Sequence, residues 1–159
     1  MTRREFIAFL GGAAVWPRAV RAERGSQNLI PLLIDLPGWT GSQPASTERE
    51  RKGGRVLTAG RSYLRGDARF NALIISGTIA DAADRSGNVH LSFRGAQKNT
   101  STIDGFEVTT ESTPVFVLIA IRLGADAMFS LIFNNVSGDE AMTIAQKFDW
   151  KSIQAQVNT

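Results

Sequence analysis

The residues able to do chemistry are few and far apart in this 159-residue chain. His90 is its one histidine, and there is no cysteine. A Ser-His-Asp triad would have to use His90. Its neighbours Val89 and Leu91 read as a strand or loop position, and no Gly-x-Ser-x-Gly elbow occurs anywhere, so His90 reads as a surface or packed residue. Lack of cysteine excludes disulfides, thiolate metal sites, iron–sulfur clusters and cysteine nucleophiles. With one histidine, metal clusters of His spacing are ruled out and a zinc site is not expected. We therefore assign no catalytic residue, no metal ligand and no cofactor.

The carboxylates offer two patterns. Asp81, Asp84, Ser86 and Asn88 are oxygen-rich, but their spacing is irregular and no glutamate closes the run, as a calcium loop needs. They read as a helix end and turn. Glu107 and Glu111, with Asp104 before them, flank a threonine-rich strand. Paired carboxylates can serve as acid and base; here they read as an exposed row. The run Glu48-Arg-Glu-Arg-Lys52 reads as a solvated loop, and Gly53-Gly54 after it lacks the Lys-Ser/Thr of a phosphate loop. Trp39 and Trp150 stand near element ends beside chain breakers or polar residues. They are the candidate contact aromatics, weighed against packing at the core edge.

The elements that must position these residues follow from periodicity. Residues 23–28 are polar and read as a flexible new terminus. Leu29 to Pro37 is apolar but broken by Pro31 and Pro37, an extended segment laid on the core. Thr40 to Gly54 reads as a loop. Val56 to Tyr63 and Ala68 to Ser76 alternate as strands around an Arg65-Gly66-Asp67 turn. Thr78 to Asn88 begins like a helix, and Val89, Leu91 and Phe93 alternate briefly. Asp104-Gly105 accepts the positive φ of a tight hairpin, with a strand from Phe106 to Thr110 beyond it. Val115 to Leu123 is a nearly continuous apolar run, the expected central strand buried on both faces. Ala127 to Phe133 returns antiparallel after Gly124-Ala-Asp126. Ser137-Gly-Asp-Glu140 is a capping box, opening a helix that puts Ala141, Ile144, Ala145 and Phe148 on one face. Trp150 and Ile153 then pack its end down.

These elements predict one α+β domain over residues 29–159. It is an antiparallel meandering sheet of about five or six strands, with a C-terminal helix and a middle helix packed on one face. The order of elements, from the Leu-Pro-Gly-Trp segment to the last helix, resembles the PsbP/Mog1-like domains of small exported proteins. That is a likeness of pattern, and a fold of this kind does not carry function with it.

Apolar residues make up 43% of the chain and charged residues 21%, a globular balance. The net charge of +3 comes from the start: the first 22 residues hold four of the 18 basic residues and one of the 15 acidic ones. The remainder has 14 of each and no surplus of cations for phosphate, so nucleic acid is not an expected partner. At the start itself, Arg3 and Arg4 precede an apolar stretch from Phe6 to Trp16. Pro17 ends it, and Ala19-Val-Arg-Ala22 presents small residues before a cut after Ala22. Eleven residues make about 16 Å of helix, too short for a bilayer core of about 30 Å, so no stable membrane span is expected.

Thr2-Arg3-Arg4-Glu5-Phe6-Ile7 resembles the twin-arginine (Tat) signal consensus, Ser/Thr-Arg-Arg-x-Phe-Leu-Lys, with Ile7 for Leu and Ala8 for Lys. The resemblance implies a bacterial protein that folds first, is exported by the Tat translocase, and loses residues 1–22 to signal peptidase. The expected location is the periplasm. The expected role is a non-enzymatic binding or envelope-associated module with an envelope protein as partner. The alternatives are a small-molecule or lipid carrier with an apolar cleft near Trp39, Phe148 and Trp150, and a carboxylate-based hydrolase.

Protein recovered from the periplasm of its native cell is expected to begin at Glu23 on N-terminal sequencing. Replacing Arg3 and Arg4 by lysine together should leave the uncut chain in the cytoplasm. Normal export of that double variant would exclude the twin-arginine route.

Overall fold

The structure, a computed structural model, describes residues 25–51, 54–77 and 95–158. Its centre is an eight-stranded antiparallel sheet. Strand β1 (Thr40–Gly41) and strand β2 (Ala45–Arg51) both pair with β3 (Gly54–Arg65). Beyond β3 the order is β4 (Ala68–Ser76), β8 (Ala127–Asn134), β7 (Phe116–Arg122), β6 (Phe106–Ser112) and β5 (Gln97–Ile103). Thus β3–β4 is a hairpin, and β5 to β8 form a four-strand meander whose last strand docks on β4. Helices α1 (Gly138–Ala145) and α2 (Trp150–Val157) follow, with α1 against β7 and α2 against β8.

The hairpins form where the turn residues demand them. Gly66-Asp67 joins β3 to β4, with Arg65 opposite Ala68. Asp104 and Gly105 take φ of +51° and +84°, the left-handed pair that makes a two-residue turn match strand twist. The remaining strands were less legible. The expected loop from Thr40 to Gly54 is instead β1 and β2, which fill one edge position end to end along β3. Ala45-Ser-Thr-Glu-Arg-Glu-Arg51 has no apolar alternation. It is held as a strand by ladder bonds to β3, and charge is tolerated at an edge. The other edge, β5, has six of seven residues exposed and reads as polar on both faces. Eight strands therefore stand where five or six were expected. The middle helix expected at Thr78 to Asn88 lies outside the described residues.

The β-pleat sorts side chains onto two faces. Tyr63, Phe70 and Phe133 are register partners on one face, as are Ala59, Ile74 and Phe129, and the helices cover them. Phe70 stacks on Tyr63 at 4.3 Å and on Phe133 at 4.8 Å between centroids, and Phe148 meets Phe129 at 5.1 Å. Each such buried ring or aliphatic side chain stabilises by about 1.5–3 kcal/mol relative to exposure. β7 is buried on both faces as expected, with Val117, Ile119 and Ile121 toward the helices and Leu118 on the opposite side.

Ser137 caps α1, its hydroxyl accepting from the Glu140 backbone amide at 3.2 Å. The reciprocal half of the expected box does not form. The Glu140 carboxylate pairs with Arg65 at 2.6 Å, and Arg65 also lies 4.3 Å over the Trp39 ring. A charged partner across the fold outcompetes one backbone amide. The single C-terminal helix of the sequence reading is two. After α1 ends, the Asp149 side chain accepts from the Ser152 amide at 3.0 Å and starts α2. Its carboxyl is held below its usual range by the Ser152 hydroxyl and amide.

The segment before the sheet lies on the core through Leu29, Leu33 and Leu36. It is not fully extended: Pro31 sits early in a 3-10 turn, Ile30–Leu32, where its missing N–H costs nothing. Residues 25–27 are helical, and Ser26 is buried. Two side chains from β3 hold this segment down. The Tyr63 hydroxyl donates to the Ile34 carbonyl at 2.8 Å, and Arg61 donates to the Leu33 carbonyl at 2.8 Å, the Ser42 carbonyl at 2.9 Å and the Asp35 carboxylate. Gly41 lets the guanidinium pass, since a Cβ there would meet Arg61 Nη2 at 2.5 Å.

Burial pushes the Tyr63 hydroxyl up from 10.0 to about 12, with the Arg61 charge pulling weakly the other way. The folded state thus favours the protonated phenol. That stabilisation is complete below pH 10 and is lost as pH rises from 10 through about 12, because the unfolded chain ionises first. Tyr63→Phe is expected to cost about 1 kcal/mol at neutral pH through the lost hydrogen bond. Urea unfolding of both proteins from neutral pH upward should show the gap narrowing above pH 10. A gap that stays constant through that window would contradict the burial of the phenol.

Candidate binding groove

The face of the sheet away from the helices is not the solvated polar surface usual for a two-layer antiparallel fold. Register places Leu73 of β4 beside Ser130 of β8 and Gly60 of β3, and Ile132 of β8 beside Asn71 of β4 and Leu118 of β7. Ile75 and Met128 form the next row. Leu118 and Ser130 are buried at 5% and 7% exposure, while Leu73 is 37% exposed. The strands that pack the core with one set of alternate residues therefore present a second apolar set on the reverse.

On this face the sheet and its β2 edge border an open groove of about 440 Å³, in the size range of small-molecule sites. Its floor comes from Gly60, Leu73 and Ile132, and Ala45 closes the β2 side. Ser42, Gln43, Thr47, Thr58, Ser62, Asn71 and Ser130 supply hydroxyls and amides around it. Ser62 donates to Asn71 Oδ1 at 2.7 Å, and the Thr47 and Thr58 hydroxyls bond to each other across β2–β3. A second hollow of about 280 Å³ continues from Thr47 and Thr58 to Val56 and Arg49. Arg61 borders the groove, but its guanidinium is committed to the N-terminal segment. The groove lining is otherwise uncharged and has no aromatic ring, so it offers apolar contact and neutral hydrogen bonds. It presents no stacking platform among the described residues.

The residues singled out from sequence are scattered by the fold. Trp150 is 5% exposed, its indole nitrogen donates to the Ala145 carbonyl at 2.8 Å, and Phe106 packs edge-on against it at 5.8 Å. Trp39 is half-buried, edge-on to Phe70 at 5.0 Å under Arg65. The cleft expected near Trp39, Phe148 and Trp150 is largely filled by these contacts. The hollow beside Phe148 and Trp150 measures about 140 Å³ and is edged by Asp104 and Asp149. Arg3, Arg4, Phe6, Ala22, His90 and the Asp81–Asn88 cluster lie outside the described residues.

Glu107 and Glu111 share the face away from α1 and α2, since they are four residues apart on β6. At about 3.3 Å per residue they stand some 13 Å apart along the strand, beyond the span of an acid–base carboxylate pair. The expectation of an exposed row holds for Glu107 but not for Glu111, which is 2% exposed. Lys98 on the neighbouring strand is 3.7 Å from Glu111, and Arg122 is 3.6 Å from Glu107. Glu48 is likewise not a solvated loop residue: it pairs with Arg55 at 2.7 Å. Among the described residues no three His, Cys, Asp or Glu side chains gather as a metal site would require, and no helix is long and apolar enough to cross a membrane.

The groove residues went unmarked because none carries distinctive chemistry. The signal present in the sequence was apolar occupancy of both alternate sets: Leu73 and Ile75 behind Phe70, Ala72 and Ile74, and Met128 and Ile132 behind Phe129 and Phe133. A face of that kind needs a cover or an occupant. The chain matches no protein-family model, no curated protein and no solved structure.

Proposed function

We propose that this protein is an exported, periplasmic binding module, non-enzymatic in action, that takes a small amphipathic molecule into the groove on the face of its sheet away from α1 and α2. The observation that carries the reading is the groove itself. About 440 Å³ of space lies over an aliphatic floor inside a ring of uncharged hydroxyl and amide groups. Such a lining desolvates an aliphatic body and keeps hydrogen bonds for a polar edge. The twin-arginine leader supports delivery of the finished fold to the periplasm, where a carrier of poorly soluble molecules has a use. A partner role in the envelope is compatible with the exposed, polar edge strand β5, whose outer side pairs with no strand among the described residues, as a β-augmentation mode would need.

The groove reading is tested with N-phenyl-1-naphthylamine, whose fluorescence rises in apolar surroundings. The mature protein is expected to bind it saturably. Leu73→Arg, at a partly exposed position on the groove floor, should weaken binding at least tenfold while leaving the melting temperature within a few degrees of wild type. Saturable binding that survives Leu73→Arg unchanged would place the probe elsewhere and remove the basis for the proposal.

A further inference from the structure

The groove has a charged end. Its continuation, the hollow of about 280 Å³ that begins at Thr47 and Thr58, is lined farther along by Val56 and Arg49. Arg49 stands on β2 between Glu48 and Glu50. Successive strand residues point to opposite faces, so both carboxylates lie on the reverse side, where Glu48 is engaged by Arg55. The Arg49 side chain is exposed and forms no ion pair or hydrogen bond with the described residues. Among those residues no carboxylate lines either hollow. The other arginine at the groove, Arg61, is spent on Leu33, Ser42 and Asp35.

The neighbouring hydroxyls ask for the same kind of group. Thr47 and Thr58 line both hollows and bond to each other across β2–β3. Two hydroxyls carry two protons, and their mutual bond uses one. The Thr47 carbonyl, 3.5 Å from the Thr58 hydroxyl, is too far to take the second in a good bond. A spare O–H and a guanidinium are both donors, and an anionic oxygen group answers both.

Register gives the length of the path. Arg49 is opposite Val56, and Gly60 is opposite Leu73 on the groove floor. Val56, Thr58 and Gly60 follow one another on one face of β3, and four residues of strand span about 13 Å, the reach of an extended ten-carbon chain. All three line a hollow, so the path is open along its length.

We propose that Arg49 is the specificity-determining residue of the groove and that its ligand is an aliphatic carboxylate. The head lies beside Arg49 and the spare threonine proton, and the tail runs over Thr58 and Gly60 to Leu73 and Ile132. This inference rests on the groove reading and adds the ligand's charge. An aliphatic cation is repelled by Arg49, and a neutral alcohol forgoes the ionic contact. Because Arg49 is exposed, the preference is moderate and falls with salt.

The test is displacement of N-phenyl-1-naphthylamine from the mature protein by decanoate, decanol and decylammonium, which share one tail, near neutral pH and below their micelle concentrations. For wild type at low salt, decanoate should displace at concentrations about fivefold below decanol and further below decylammonium, the spread shrinking as salt is raised. Arg49→Gln should cut the decanoate advantage over decanol to less than about twofold, and Arg49→Glu should make decylammonium the strongest of the three. Arg69, on the same face of the sheet but lining neither hollow, is the control, and Arg69→Gln should keep the wild-type order. Circular dichroism and melting of each variant establish that the fold is kept. Equal displacement by all three compounds in wild type, or preference for decanol or decylammonium, overturns the carboxylate inference and leaves the groove reading standing. So does a decanoate preference retained in both Arg49 variants, lost equally in Arg69→Gln, or unmoved by salt. Failure of the probe to bind wild type at all overturns the groove reading, and this inference with it.

Discussion

The structure turns on the placement of Arg61. Its side chain lies on the helix-covered side of β3, only 12% exposed, where a bare cation would be strongly destabilising. Three acceptors resolve the conflict: the Leu33 and Ser42 carbonyls and the Asp35 carboxylate, with the Tyr63 ring 5.3 Å beneath. Satisfying one guanidinium thus draws together β3, the segment that precedes the sheet, and the link between β1 and β2. The same bonds determine where Leu33 and Leu36 seat on the core and where Ser42 stands at the groove rim. Most of the interaction is with backbone carbonyls, which fix position irrespective of side-chain identity on the accepting segment.

Around that anchor the two faces of the sheet divide their chemistry. The helix side gathers aromatic rings into a chain of contacts from Trp39 through Phe70 and Tyr63 to Phe148 and Phe129. Several of its polar atoms are matched, Trp150 Nε1 to Ala145, Gln154 to the Leu123 carbonyl and Ser76 to the Val157 carbonyl, while Glu48 Oε2 on the same side is buried without a hydrogen-bond partner. The opposite side is aliphatic, rimmed with hydroxyls, and holds a buried carboxylate with a free oxygen. The groove lies on the side away from α1 and α2.

Much of the local structure was written in the chain. Asp104-Gly105 demanded a tight turn because two successive left-handed residues cost least there. Ser137 demanded a helix start because free amides need an acceptor. The apolar run from Val115 to Leu123 demanded a strand with both faces covered. Strands β2 and β5 were hidden because their residues are polar on both sides. Their pairing is dictated by a neighbour's unpaired backbone, which leaves no trace in hydropathy. Glu140 illustrates the limit of a motif: the spacing was right for a reciprocal cap, yet Arg65 lay close enough to take the carboxylate.

By itself, then, the sequence determined the classes of chemistry open to this protein, the leader's resemblance to an export signal, and every element bounded by turn residues or sustained periodicity. These depend on composition and on interactions within a few residues. Tertiary structure alone decided which aromatics were core, that Glu111 is buried while Glu107 is not, and that Asn71, Ile132 and Leu118 align across three strands with Leu73 in the neighbouring row. Those outcomes depend on strand order and register, which bring together residues some sixty positions apart through backbone hydrogen bonds that carry no side-chain signature.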